Sequence, residues 1–487
     1  LDTSADARGR VVPAVRPARV PLSHAQQRLW FLHRFEGPSA TYNLPVALRM
    51  TGALDEEALR QALADVVDRH ESLRTVFAED AEGPYQIVRD VTEVSLTVTA
   101  TDEEHLHEEL DHASRTTFEL SEEPPLRAFL FELGDEEYVL LAVVHHIAGD
   151  AWSMGPLARD LVAAYAARVR GTAPEWAPLP VQYADYSLWQ HVVLGSEDDP
   201  DSEATRQLDH WKRALAGLPE ELSLPFDRPR PAVASYRGDR VTFDVPEDVY
   251  SGLVRVAREG RSSLFMVLQA SLAALLSRLG AGTDIPLGTP IAGRTDDALD
   301  DLVGFFVNTL VLRTDTSGDP TFTELLERVR TADLAAYAHQ DLPFERLVEA
   351  VNPERSLARH PLFQTMLTLN NTDQGAASAV TSLPGLEVSS RPVGIGAAKF
   401  DLSFRLAERR PTAETESAAL GGALDYSTDL FDRGTAQSIA DRFVRVLTAL
   451  AQDPDRRVSE VEVLEEAERQ RVLSGWQGAS RAVRGRS

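Results

Sequence analysis

The chain has 487 residues, more than the ~250–300 at which a single hydrophobic core stops growing, so at least two lobes are expected. With 43% hydrophobic and 26% charged residues and no cysteine, the composition is that of a globular protein in which disulfides, thiolate metal sites and a cysteine nucleophile are excluded. A net charge of −27 disfavours nucleic acid as a partner and requires any acidic protein partner to dock through a local apolar or basic patch. The missing cysteine fits a cytoplasmic location. No apolar run is read as approaching the ~20 residues of a membrane span, so no membrane partner is expected.

Residues 1–20 are rich in Arg, Pro, Ala and Val without periodicity and read as a linker. Ser23 with Gln26 forms a capping-box pattern that opens a helix carrying Leu29 and Leu32. A second helix is expected over 55–69, strands near 74–78, 85–89 and 94–99, and a helix around 103–116. LRAFLFEL (126–133) and YVLLAVV (138–144) flank Gly134-Asp135 and read as a hairpin, the second strand apolar enough to be buried on both faces. Ser153 is expected to cap the helix that follows.

The acidic stretch 196–205 divides an N-terminal lobe, 21–196, from a C-terminal lobe, 197–463. In the latter, strands are expected at 239–245, 284–291, 306–313, 363–369, 400–406 and 419–426. Helices are expected at 247–259, 263–279, 321–338, 343–351 and 433–451. Residues 464–487 read as a short helix and a second linker. Strands and helices mix in both halves, so the class is α/β or α+β.

The segment VHHIAGDAWS (144–153) concentrates the chemistry. Two histidines end a buried strand and Asp150 follows four residues after the second, on a loop of the kind that presents reactive groups. A neutral imidazole accepts a proton at neutral pH. The carboxylate can either brace the loop against a buried arginine or fix the imidazole tautomer.

VHHIAGDAWS resembles the His-His-x-x-x-Asp-Gly motif of nonribosomal peptide synthetase condensation domains. Other motifs of that family are matched in order by SHAQQRLWFL (23–32), RHESLRT (69–75), YADYSLW (183–189), VGFFVNTLVLR (303–313), HQDLPFE (339–345) and RSLARHPL (355–362). The resemblance implies two chloramphenicol-acetyltransferase-like lobes in a V-shaped pseudo-dimer, with the site at their junction. It implies amide formation between acyl units on donor and acceptor peptidyl carrier domains, which bring the phosphopantetheine, so the domain binds no cofactor or metal of its own. A neighbouring adenylation domain and a monomeric state are expected. YNLP (42–45) is similar to the subtype joining an L donor to an L acceptor.

By resemblance His146 is the principal catalytic candidate, with His145 and Asp150 beside it. His145 is expected beneath the loop and Asp150 paired across the cleft with Arg294, with Arg69 and Arg74 as rivals. Gly149, Ala151, Trp152 and Asn308 are the candidate substrate contacts. The N–H of Gly149 is a candidate oxyanion donor, and Asn308 either bonds near the junction or is a structural amide. Trp30 is expected in the core, and Tyr183 on a packed aromatic helix face. Ala151 departs from the motif's glycine, adding a methyl where the substrate arm should pass. Three rivals remain: a non-catalytic recruitment domain of the same fold, an epimerisation domain and a coenzyme A-dependent acyltransferase.

Overall fold

A computed structural model describes residues 9–90, 94–354, 356–370, 382–391, 393, 396–409, 419–464 and 466–470. The N-terminal half contributes β1 (Val20–Pro21), α1 (His24–Glu36), β2 (Asn43–Gly52), α2 (Glu56–Arg69), β3 (Thr75–Asp80), β4 (Gly83–Val88), β5 (Leu96–Ala100), α3 (Leu106–Ser114), β6 (Leu126–Gly134), β7 (Glu137–His145), α4 (Met154–Val169) and α5 (Tyr183–Leu194). The remainder supplies α6 (Glu203–Ala214), β8 (Gly238–Val245), α7 (Glu247–Glu259), α8 (Leu264–Leu276), β9 (Asp284–Ile291), β10 (Asn308–Asp315), α9 (Phe322–Tyr337) and α10 (Phe344–Val351). After these come β11 (Thr365–Asn370), β12 (Ser382–Leu383), β13 (Leu386–Arg391), β14 (Leu402–Arg409), β15 (Ala419–Ser427), α11 (Arg433–Gln452) and the short helix Glu466–Gln470.

Two six-stranded sheets organise these elements, in the orders β12-β13-β2-β7-β6-β5 and β10-β9-β11-β14-β15-β8. A small sheet, β1-β4-β3, stands apart. The expected mixed α/β, two-lobed class is what the chain forms. Strand β7 is central in the first sheet, hydrogen-bonded to β2 and β6 on either side. Val139, Leu140, Leu141, Val143 and Val144 are all buried, as its unbroken apolar run requires.

Three readings of the sequence are corrected. Strand β2 was not foreseen, because Pro45 breaks its pattern. Its neighbour β13 pairs only as far as Ala47, so Pro45 sits where the missing N–H costs no ladder bond on that side. The division at 196/197 is crossed, since Leu386–Arg391 returns from the second half to pair with Ala47–Gly52. The third correction concerns α8. By length and composition alone Leu264–Ala281 is long and apolar enough to span a bilayer. Every residue from Met266 to Leu276 is buried, under α7, α9 and α11. A helix covered on all sides has no polar face to show.

The expected N-terminal linker lacks regular structure over 9–18 but is tied down. Val11 is buried and its N–H donates to Asp296 Oδ2 (3.0 Å). The N–H of Ala14 donates to Asp185 Oδ1 (3.1 Å), and Arg16 pairs with Glu71 at 2.7 Å. Residues 1–8 of that linker and 471–487 of the tail lie outside the described residues.

Candidate active site

Strand β7 delivers the two histidines to the edge of a turn that the first motif holds from below. The predicted capping box is present: Ser23 Oγ accepts from Gln26 N–H (3.2 Å) and Gln26 Oε1 from Ser23 N–H (3.2 Å). Gln26 Nε2 then reaches the turn and donates to the carbonyl of Ile147 (3.2 Å). His146 N–H donates to Tyr42 O (2.8 Å). His145 turns inward, 5% exposed, with Nδ1 accepting from Ile147 N–H (3.2 Å) and its ring edge-on to Phe118. Burial is the main cause that pulls its imidazole down to about 3. It is a neutral packing residue, which corrects its place beside His146 as a catalytic candidate.

Asp150 is fully buried and spends both oxygens on scaffold. Oδ1 accepts from Ser153 N–H (2.9 Å) and lies 2.8 Å from Ser153 Oγ and 3.4 Å from Arg294 Nη2. Oδ2 accepts from the N–H groups of Phe306 (3.0 Å) and Val307 (3.1 Å). Of the two uses open to it, the carboxylate braces the loop, and although it stands beside His146 in the motif its role is structural, in the expected pairing with Arg294. Ser153, expected to cap α4, makes no side-chain cap bond to it and instead meets Gly304 O (2.8 Å) and accepts from Gly304 N–H (3.1 Å).

Residues 303–307 therefore form a strap from the second lobe laid on the first. Ser72 Oγ donates to Val303 O (2.7 Å), Tyr183 Oη to Phe305 O (2.6 Å) and Val303 N–H to His70 Nδ1 (3.3 Å). Because Nδ1 of His70 accepts, its Nε2 carries the proton toward Asp160 Oδ2 (2.9 Å). Burial lowers the pKa of this imidazole, so the neutral form is kept. Gly304 lies so close that a Cβ would stand 2.3 Å from the Tyr183 ring. Gly293, at φ +66°, would meet Phe306 O at 1.9 Å; only glycine fits either place.

Of the arginines considered for Asp150, Arg294 is the one brought to it. Its guanidinium also stacks over Phe306 (4.2 Å) and donates to the carbonyls of Leu299 and Leu302. Arg69 and Arg74 are corrected: Arg69 pairs with Asp160 (2.7 Å), and Arg74 binds the carbonyls of Arg89 (2.6 Å) and Asp68 (3.3 Å). Asn308 is a structural amide rather than a substrate contact. Nδ2 donates to Gln340 O (2.9 Å) and Leu342 O (2.8 Å), and Oδ1 accepts from Thr309 N–H (2.9 Å) and Phe344 N–H (3.0 Å). Gly149 is buried and its N–H points at 3.4 Å to His146 O within the same turn. Trp152 is half-buried and Ala151 exposed. Ala151 is not among the residues with positive φ, so the backbone there does not demand the glycine of the motif.

His146 is the one of the three polar residues His145, His146 and Asp150 not committed to the scaffold. It is half-buried, and its buried Nδ1 has no hydrogen-bond partner among the described residues. Phe305 of the strap packs on its ring with centroids 4.6 Å apart. Burial first, and then the ammonium of Lys399, pull the imidazole down to about 4, with Asp150 opposing. Lys399 is exposed to water in area yet enclosed enough that burial draws it down to about 8. Its Nζ lies 4.9 Å from the Tyr42 ring centroid. Sequence reasoning missed Tyr42, Phe305 and Lys399, although Phe305 stands three residues before Asn308 in a motif singled out. Lys399 is one of only two lysines in the chain. A concavity of about 650 Å³ lined by residues 132–136 and Tyr138 is at the opposite end of β7 from the histidines.

A family model for the condensation domain matches residues 18–473. A probable non-canonical nonribosomal peptide synthetase, CymA, of Salinispora arenicola is 54% identical over 97% of this chain. A dimodular nonribosomal peptide synthase of Bacillus subtilis is 53% identical over 99%. The chain spans 6% and 20% of the lengths of these two relatives. Among solved structures, the X-domain from teicoplanin biosynthesis is similar at TM-score 0.86 and 40% identity, over 94% of this chain and 100% of that one, and has also been solved in complex with OxyB. The chain belongs to the condensation-domain family, whose reaction is amide-forming acyl transfer.

Proposed function

We propose that this domain is catalytically competent. It joins a donor acyl or peptidyl thioester to the α-amine of an acceptor, each delivered by the phosphopantetheine of a carrier domain of the same kind of synthetase. An adenylation domain would supply the acceptor carrier. The observation that carries the reading is the half-buried imidazole of His146 at the lobe junction, whose buried Nδ1 is left without a partner. Its neighbours Asp150 and His145 are committed to the scaffold. We assign the proton of the neutral ring to buried Nδ1 and the free lone pair to Nε2.

The acceptor nitrogen attacks the thioester carbon, the C–N bond forms and the C–S bond breaks. Nε2 takes the nitrogen's proton and the leaving thiolate ends as a thiol. An imidazole drawn down to about 4 is a weak base, so hydrogen bonding that orients the amine outweighs full proton abstraction. Holding the two ends together contributes about 7–11 kcal/mol, against about 3–5 kcal/mol for general-base help. Exposed Phe31 and Phe35, stacked 6.0 Å apart on α1, are an apolar patch of the kind that docking to an acidic surface needs. The resemblance of YNLP supports an L donor with an L acceptor.

The second reading is a recruitment domain, favoured by the likeness to the X-domain and by Ala151. The two separate when loaded donor and acceptor carriers are mixed with this protein, His146→Ala and Ala151→Gly, and intact mass reports dipeptidyl thioester. Competence requires product from the parent and its loss in His146→Ala. Product unchanged in His146→Ala removes the assignment. Product only in Ala151→Gly, or none at all, favours recruitment, and racemised donor without coupling favours epimerisation.

A further inference from the structure

Four arginines have carboxylate partners: Arg294 with Asp150 (3.4 Å), Arg69 with Asp160 (2.7 Å), Arg230 with Asp401 (2.5 Å) and Arg28 with Glu345 (2.6 Å). Lys399 departs from this pattern. Its contact is the ring of Tyr42, 4.9 Å from Nζ, and it makes no ion pair or hydrogen bond among the described residues. It stands on the segment returning from β13 in the first sheet to β14 in the second, anchored by Ala398 N–H to Tyr236 O (2.8 Å) and Asp401 N–H to Gln364 O (3.0 Å). Tyr42, in turn, supplies the carbonyl that receives the N–H of His146 (2.8 Å). An unpaired ammonium is therefore fixed against the residue that fixes His146.

We propose that Lys399 is a positioning residue for the reaction. Its uncompensated positive charge, carried behind Tyr42, keeps the imidazole of His146 and the arriving α-amine in their uncharged forms, ready to accept a proton and to attack. This rests on His146 receiving the amine. A like charge nearby disfavours the protonated form of each group.

The other groups facing the pair cannot supply this field. His145 and His360 are neutral, each drawn down to about 3 chiefly by burial. The charge of Arg28 is met by Glu345. Asp150 acts in the opposite sense on His146 and is itself committed to Arg294 and two backbone amides. Lys399 is drawn down to about 8, so the field fades above that pH.

The test is the pH profile of kcat/KM for coupling between loaded carriers, for this protein, Lys399→Met and Lys399→Arg. Methionine keeps the stem over Tyr42 without charge; arginine restores the charge. In Lys399→Met the acid limb is expected to move up by about one pH unit, as loss of a nearby like charge implies. With His146 drawn down to about 4 in the parent, the rate is then about fivefold lower at pH 4 and near the parent's at pH 7 and above. Lys399→Arg should keep the parent's limb. A carbon-13 NMR titration of His146 should show its pKa rising in Lys399→Met alone. A uniform loss at every pH, or an unmoved limb, overturns the proposal. If His146→Ala retains activity, the reading of His146 fails instead, and the two failures are told apart by that variant.

Discussion

Replacing Asp150 by alanine separates scaffold from chemistry. The carboxylate receives three backbone N–H groups, of Ser153, Phe306 and Val307, besides facing Arg294, and it is wholly inaccessible to water. Truncation leaves the Arg294 guanidinium, 6% exposed, without its charge partner, and breaking a buried pair from one side costs about 3–5 kcal/mol. The orphaned amides act on the same loop, so their penalties overlap with this instead of adding to it, and a total near ~4 kcal/mol is expected. At roughly 2 cal/mol/K of unfolding entropy per residue, the midpoint falls by about 4 °C if the chain melts as one unit, and by about 8 °C if one lobe melts alone. Asp150→Asn, which keeps an acceptor oxygen and the shape, should lose about half as much. Differential scanning calorimetry alongside the coupling assay checks this. His146→Ala should melt within about 1 °C of the parent, since the ring is only half-buried and its Nδ1 makes no hydrogen bond. An Asp150→Ala protein that melts like the parent yet makes no product would refute the reasoning, because the carboxylate would then act on the reaction and not through the strap.

Asn308→Ala should lower stability by about 2–4 kcal/mol. It strands the carbonyls of Gln340 and Leu342 and the Phe344 N–H at the start of α10, and the Thr309 N–H in β10; urea titration would show it, while KM per folded molecule stays within threefold. Asp333 tests the core of the second lobe. Burial raises its carboxyl to about 7, and Oδ2 and the facing Gln269 Oε1 both lack partners. Because the folded value lies above the unfolded one, stability is highest below pH ~4 and falls as pH rises toward 7, by an upper bound of roughly 4 kcal/mol. Asp333→Asn should therefore stabilise the protein at pH 8 and change little at pH 4. Equal effects of the substitution at both pH values would show that Asp333 is not held protonated.

Local patterns in the sequence decided most elements of this fold. Helix Glu247–Glu259 and strand Asp284–Ile291 fall on the expected residues because their periodicities of 3.6 and 2, or an unbroken apolar run, act within one element. The same holds for the Ser23–Gln26 cap and the Gly134 turn between β6 and β7. The two histidines, and Arg294 as the partner of Asp150, were also legible. Motif order marked them, and a buried carboxylate needs a cation.

Tertiary structure alone decided the rest. Strand β13 pairs with β2 across more than 330 residues of chain, and no local signal encodes a partner so distant. Asp150 could have served the imidazole or the scaffold. Four contacts from residues 294, 306, 307 and 153 settle which, three of them from the other lobe. Asn308 and His145 carry the residue types of a reactive site, and packing consumed their polar atoms. Phe305 and Lys399 reach His146 only because the strap and the returning segment fold over the first lobe. The sequence determines which groups can do chemistry, since side-chain type is local. Which of them remain free to do it depends on long-range contacts that satisfy or spare each polar atom.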